Sequence, residues 1–357
     1  MILFFLLMPL QIFAFTYQQQ QQLNSDEVNQ ILDYNSGNIF DYELKQVIGE
    51  GAFSKVYLAQ RIQDQELVVL KHINDTRESD INQEIQILQA LIGLPNIVQM
   101  IDAIKGHQVE QADYYQQLLN KETQAIQAKQ DPPHHNDSLD TTIIFTYQNT
   151  TRNLYHILKK RRYTLKQVKK YFKQIFSALV QAHDLHIMHR DIKVENVLVD
   201  QNDNIILIDW GLSQFYDSGK ILSVRMGTRY YKAPELLLKY RKYDYSIDVW
   251  AVGCMLADFI FKTDPLFKGK DLKDQLRQII QKLGKKDLYE YLKKYHIKLR
   301  LQDIPQVEER IDFKQLVNKK NKRWATKDAI DLLEKIFVYD HKLRINARQA
   351  LEHAFFL

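Results

Sequence analysis

The chain has 357 residues, 45% of them hydrophobic and 26% charged, with a formal net charge of +5. That composition fits a globular protein with a sizeable core, and the charge is too mild by itself to argue for nucleic acid; an acidic or phosphate-bearing partner fits as well. The single cysteine, Cys254, excludes an intrachain disulfide and a Cys-rich metal site, so nothing points to an oxidising compartment. It lies in the apolar run "VWAVGCMLADFIF" and reads as a core residue.

The first residues, "MILFFLLMPLQIFAF", are uncharged and strongly apolar. The run has the length of a signal-peptide core and is short for a membrane span. No positive residue follows Met1 and no small-x-small cleavage site comes after. A secretory signal, a membrane or partner anchor, and an extraneous or disordered leader therefore all stay open. Asn-x-Ser/Thr triplets at Asn74, Asn136 and Asn149 are frequent by chance and do not decide between them. Gln18 to Gln22 form a low-complexity spacer, so residues 1–40 read as a leader and a flexible segment.

Organised sequence starts near Asp41. "YELKQVIGEG", "SKVYLAQRI" and "LVVLKHI" are short β-rich runs separated by turn residues. "SDINQEIQILQAL" predicts an amphipathic helix with Ile81, Ile85 and Leu88 inward and Ser79 as its cap. "NIVQMIDAIK" and "TTIIFTY" read as two more strands, separated by a Gln-rich stretch, 106–140, with little periodicity. A loop that long is usually an insertion. After Tyr147 the pattern turns helical. "LKQVKKYFKQIFSALVQAHDL" places Val168, Phe172, Ile175, Phe176 and Leu179 on one face, and "SIDVWAVGCMLADFIF" is apolar almost all round, as a buried helix is. "AIDLLEKIFVY" and "ARQALEHAFF" close the chain. The expected architecture is α+β and two-lobed: a small β-rich lobe with one helix over 41–147, then a larger, mainly helical lobe over 148–357.

Chemistry concentrates in four places. In "IGEGAFSKV", Gly49 and Gly51 let a hairpin backbone approach phosphates, with Ser54 where a third glycine would complete the pattern; glycines in a hairpin are also ordinary turn residues. Lys71 ends the run "VVLK" and Glu84 on the next helix is its natural partner, although each alone would read as a surface charge. In "IMHRDIKVENVLVD", Asp191 suits a general base, Lys193 a cation for a transferring phosphate, and Asn196 an oxygen ligand for Mg²⁺. In "NIILIDWGLS", Asp209 ends an apolar run, and a carboxylate there is costly unless something binds it. A second metal carboxylate meets that need, with Trp210 packed into the core behind it. Further on, Arg344 is a plausible buried partner for Glu235, and Asp248 should accept contacts from around Arg190.

In this order and spacing the set is the signature of eukaryotic protein kinases. The chain resembles them over roughly Tyr42 to Leu357, apart from the insert. More narrowly it is similar to the catalytic (alpha) subunit of casein kinase II, through "LIDWGLSQFY", "IMHRDIK", "VRMGTRYYKAPELLLKYRKYDYSIDVW", "LGKKDLYEYLKKYHIKL" and "YDHKLRINARQALEHAFF". The resemblance implies a serine/threonine protein kinase that moves the γ-phosphoryl of ATP, with Mg²⁺, to acidic protein substrates, and suggests use of GTP as well. It implies ATP-binding roles for Ile48, Gly49, Gly51, Ser54, Val56, Lys71, Phe145, Tyr147 and Gln148, with Thr146 to Gln148 as the hinge. It assigns catalysis to Asp191, Lys193, Lys71 and Glu84, metal ligation to Asn196 and Asp209, and substrate recognition to Arg225, Arg229 and Lys232. A non-catalytic scaffold would need a lost catalytic residue, and none is lost. The proline-directed sister families usually carry Arg where Lys232 stands.

The departures are equally specific. The family's Lys-rich run entering the lobe helix is here "NDTRESDINQE", with Arg77 its only basic residue. New basic residues stand in "LKKRRYTLKQVKKYFK" and in "KYRK" (Lys239 to Lys242), either as solvated faces or as a replacement surface for acidic substrates. The insert 106–140 falls between the strands that hold the regulatory beta subunit in the family, so that binding is expected to be altered or lost. The family's N-terminal segment braces its activation loop, and "QILDYNSGNIFDYEL" matches it poorly. No nucleic-acid partner is expected. The expected location is cytoplasm or nucleus, with the apolar leader leaving a signal or an anchor open.

Overall fold

The computed structural model describes residues 38–357 apart from 52, 75, 106–140, 148–149, 151, 264, 301–303, 306 and 308. The leader, the Gln spacer, most of the bracing segment, the insert, Gln148 and the triplets at Asn136 and Asn149 thus lie outside the described residues. The rest divides into two units, one running to Ile92 and resuming over Gln99–Tyr147, the other comprising Gly93–Val98 and the chain after Tyr147.

In the first unit the β-branched and aromatic runs form β1 (Tyr42–Glu50), β2 (Ser54–Arg61), β3 (Leu67–Ile73), β4 (Met100–Lys105) and β5 (Thr141–Thr146), with one helix, α1 (Glu78–Ala90). They make an antiparallel sheet in the order β1-β2-β3-β5-β4. Alternation along β3 sends Val68 and Leu70 into a core with Leu44, Tyr57, Ala59 and Ile144, which leaves Val69 and Lys71 on the opposite face. Ile81, Ile85 and Leu88 of α1 are buried as the periodicity predicts. The cap is not: α1 begins before Ser79, and Arg77 stands at the cap position without a side-chain cap bond. Arg77 instead pairs with Asp80, and Glu78 and Asp80 supply the acidic first turn that a helix N-terminus favours.

The expected strand "NIVQMIDAIK" is also split. Asn96 adopts a left-handed backbone, φ 64°, and its amide donates to Gln174 and to the Ile205 carbonyl. Asn96 and Val98 exchange backbone hydrogen bonds with Leu207, so this stretch belongs to the second unit and β4 starts only at Met100.

The second unit contains β6 (Arg152–Asn153), α2 (Leu154–Lys160), α3 (Leu165–Asp184), β7 (Ile187–Met188), β8 (Val197–Val199), β9 (Ile205–Leu207), β10 (Gln214–Phe215), α4 (Pro234–Leu237), α5 (Ser246–Phe261), α6 (Leu272–Leu283), α7 (Lys286–Lys294), α8 (Lys327–Ile336) and α9 (Ala347–Leu351). A capping box at Thr164 and Gln167 starts α3, whose apolar stripe is fully buried against α5 and α9. Every residue of α5 is buried, Cys254 included, as its all-round apolarity requires. The α+β, two-lobed fold expected from the sequence is the fold observed. Among the described residues, no helix is long and apolar enough to cross a membrane.

Candidate active site

In the first unit, cross-strand register puts Gly49 opposite Val56, Val56 opposite Lys71, and Lys71 opposite Ile143. Three of the residues assigned to ATP therefore share one rung of the sheet. Phe145, buried in β5 opposite Val69, lies two positions along and faces the same side as Lys71. From that face Lys71 reaches α1, where its Nζ lies 2.6 Å from Glu84 Oε1, and Glu84 is only 6% exposed. Gly51 N–H donates to the Ser54 carbonyl and closes the β1–β2 turn. Ile48 is exposed, Val56 half-buried, and Tyr147 half-buried just past the end of β5.

A Cβ added at Gly49 would meet nothing nearer than Val56 at 3.5 Å, and one at Gly51 nothing nearer than Ser54 at 3.6 Å. Neither has a positive φ. The hairpin itself thus does not demand glycine at these positions, whereas a group that approaches the backbone from outside would. Exposed Ile48 and the open glycines fit a nucleotide.

In the second unit the loop between β7 and β8 carries Asp191, 7% exposed, with both carboxylate oxygens engaged. Oδ2 lies 2.6 Å from Lys193 Nζ, and Oδ1 accepts from both the backbone N–H and the hydroxyl of Thr228, each at 2.9 Å. Asn196 donates its amide to the Asp191 carbonyl at 3.0 Å, which leaves its side-chain oxygen as the end able to accept or ligate. The Asn196 carbonyl in turn accepts from Ile208 N–H, so the β8–β9 pairing brings Asn196 next to the stretch that ends in Asp209. Asp209 is exposed and left-handed, φ 65°, and Arg190 has a φ of 66°. Non-glycine residues seldom adopt that conformation, and such strain clusters at functional loops.

Two buried groups hold these loops. Asp248, in the first turn of α5, accepts from the backbone N–H of His189 and of Arg190, as anticipated for it. Burial alone would push its carboxyl up, but His183, His189 and the Arg190 N–H outweigh that and hold it below the usual range. His189 is fully buried, and burial pushes its imidazole down despite the charges of Asp248, Asp191 and Asp209. It accepts from Asp191 N–H at Nδ1, lies 3.1 Å from the Ile208 carbonyl through Nε2, and packs its ring 4.6 Å from that of Trp210. Trp210 is buried, as expected of a residue behind Asp209.

Thr228 and Gly227 are the site residues that sequence reasoning missed. The "GT" before "RYYKAPE" was their only signal. Gly227 has a φ of 79°, and a Cβ there would lie 2.7 Å from the Arg190 carbonyl oxygen. We expect Gly227→Ala to push the Arg190–Asp191 loop away from Thr228, at a cost of about 1–3 kcal/mol. Turnover should fall at least tenfold while the melting temperature drops only a few degrees. Unchanged turnover would mean that the Thr228 contact is dispensable.

Arg225, Arg229 and Lys232 were given one role, and the structure gives them three positions. Arg225 is exposed, its side chain without a partner among the described residues. Arg229 stacks on Tyr230 and donates to the Lys270 carbonyl. Lys232 is only 7% exposed and donates to the Met226 carbonyl, so it is a buried cation rather than a surface one. Its burial lowers its pKa, and only the charge of Asp191 opposes that.

A family model described as the protein kinase domain matches residues 42–356. The chain belongs to the protein kinase family. The kinase is accordingly a phosphotransferase that uses ATP and a divalent metal and acts on protein substrates. Among the described residues no three His, Cys, Asp or Glu converge into a self-sufficient metal site. Asn196 and Asp209 would offer side-chain oxygens to a hard cation, the chemistry such an ion prefers.

Proposed function

We propose that this kinase phosphorylates serine and threonine in acidic sequences, in the manner of the casein kinase II catalytic subunit, with Mg²⁺-ATP and with GTP as an alternative donor. The observation that carries the reading is the double anchorage of Asp191 by Thr228 and Lys193. A carboxylate fixed at both oxygens keeps one orientation, and a base with a fixed orientation can take the proton of an attacking hydroxyl. In the step, the substrate oxygen bonds to the γ-phosphorus, the bond from that phosphorus to the β–γ bridging oxygen breaks, ADP leaves, and the hydroxyl proton passes to Asp191. Lys193 offsets charge on the transferred group. Lys71, held by Glu84, offsets charge on the nucleotide phosphates. Gly49, Gly51 and Ser54 would lie along the phosphates, with Ile48, Val56, Phe145 and Tyr147 at the base, while the role given to Gln148 falls outside the described residues. Asn196 and Asp209 would hold the metal, which would supply positive charge beside the nucleotide phosphates.

Acidic preference is supported by exposed Arg225, whose side chain has no partner among the described residues and which is close in sequence to Thr228, with Arg229 and Lys232 adding positive potential. The run entering α1 offers little, since its one cation, Arg77, is paired with Asp80. Binding of a regulatory partner of the beta type should be altered or lost, because the insert 106–140 falls in sequence between β4 and β5. With Ser peptides carrying acids either directly after the serine or three places on, and a Ser-Pro control, we expect the first to be the best substrate. Preference for the Ser-Pro peptide would contradict the reading.

A further inference from the structure

The cations of "KYRK" converge on a cleft that lies apart from the catalytic loop. The turn after α4 and the turn after α7 face each other across about 410 Å³, and Lys239, Arg241, Lys242, His296 and Lys298 line it. All five side chains are exposed. Its apolar lining comes from Ile221, Leu238, Ile297 and the rings of Tyr240 and Tyr295, whose centroids lie 5.2 Å apart. Among the described residues no carboxylate lines it. Asp244, two residues past Lys242, and Asp340, which accepts from the Tyr295 hydroxyl, are already paired at 2.6 Å with Lys342 and Lys294. Lys239, Lys242 and Lys298 have no ion-pair partner among the described residues.

Local chemistry does not account for this surplus. The C-terminus of α7 favours positive charge, and Lys293 and Lys294 in its last turn supply it. On the facing turn Lys239 follows α4, a single turn of helix with a small dipole, and Arg241 and Lys242 stand beyond it. The turn is also specified: Lys239 takes a left-handed backbone, φ 60°, and His296 does so opposite, φ 53°. The other basic run differs in kind. It runs from the last turn of α2 through the following turn into α3, where Lys169 lies over the Phe355 ring and Lys170 bonds the Asn202 carbonyl.

The cleft is joined to the substrate side. Arg241 exchanges two hydrogen bonds with Leu222, accepting from its N–H and donating Nε–H to its carbonyl at 3.0 Å. Tyr243 binds the next carbonyl, that of Ser223. From Leu222 the chain runs through exposed Arg225 to Thr228 beside Asp191.

We propose that this cleft docks an acidic segment of the protein substrate, remote from the phosphorylated residue, in place of the basic run that α1 lacks. The inference deepens the acidic-substrate reading and rests on it. Carboxylates would face Lys239, Lys242 and Lys298, and apolar side chains of the same segment would meet Tyr240 and Ile297. A shallow depression lined by aromatic and aliphatic side chains as well as cations suits a polypeptide better than a bilayer surface or a phosphate backbone.

The test uses the full chain and a fluorescent Asp/Glu-rich peptide that has no hydroxyl residue, so docking is read without catalysis. Charge reversal by Lys239→Glu, Lys242→Glu and Lys298→Glu together should weaken its binding about tenfold, and added salt should weaken wild-type binding likewise. Arg241 stays, because it holds Leu222. In kinetics, KM for a serine peptide with a long acidic extension should rise about tenfold, with kcat and a short peptide unaffected. Should the triple variant melt early, Lys→Gln at the same positions is expected to show the same loss, smaller. Unchanged peptide binding in a folded variant overturns the proposal. So does wild-type preference for single-stranded RNA or anionic vesicles over the peptide, lost in the variant. Binding lost in the variant, with no transfer by the wild type to either peptide, would uphold the cleft and sink the proposed reaction instead.

Discussion

Asp191→Asn is expected to lower phosphoryl transfer by about 10² to 10⁴-fold, the range a positioned general base contributes, with ATP affinity little changed. The asparagine oxygen can still accept from Thr228 N–H and hydroxyl, so the loop should keep its shape. The amide cannot take a proton, and its NH₂ would meet the Lys193 ammonium that now lies 2.6 Å from a carboxylate oxygen. Single-turnover kinetics with labelled ATP, alongside nucleotide binding, separate chemistry from affinity. A variant that retains more than about a tenth of wild-type turnover would give the base to another residue.

Arg344→Met should be the most damaging substitution for stability among those considered. Arg344 and Glu235 are both fully buried, and the guanidinium makes a two-pronged pair with the carboxylate at 2.7 and 3.0 Å. Its remaining donors go to the carbonyls of Ser246 and Val338, and its plane lies 4.9 Å from the Trp250 ring centre. Methionine would fill the volume and leave Glu235 ionised without a partner, at a cost of about 3–5 kcal/mol. Lysine cannot reproduce the fork and should also destabilise. Adding Glu235→Leu to Arg344→Met should recover part of the loss, because it removes the stranded charge. A double variant no more stable than the single one, by thermal or urea unfolding, would show that the carbonyl contacts rather than the ion pair carry the effect.

Much of this was legible where chemistry and periodicity are local. Val168 to Leu179 wrote the buried stripe of α3 in plain helical spacing, and the apolar length of α5 announced its burial. Asp191, Lys193 and Asn196 meet because they share one short loop, so their spacing alone carried the geometry. The Glu235–Arg344 pair was anticipated as a buried one, and both side chains are buried. What the sequence hid depends on long-range contact. Asn96 to Val98 look like the start of a strand, but their hydrogen bonds go to Leu207. Lys232 looks like a recognition cation, but its amine faces the Met226 carbonyl. Thr228 looks like a filler between Gly227 and Arg229, and matters because the fold returns it to Asp191. Lys298 gave no sign that it would join the cations of the turn after α4.

The most direct measurement takes one acidic peptide in three versions, with serine, threonine or tyrosine at the acceptor position, and follows label from γ-labelled ATP with Mg²⁺. Transfer to serine and threonine is expected, with little or none to tyrosine and none in Asp191→Asn. Transfer to tyrosine alone, or equal transfer by the Asp191→Asn variant, would contradict the proposed function.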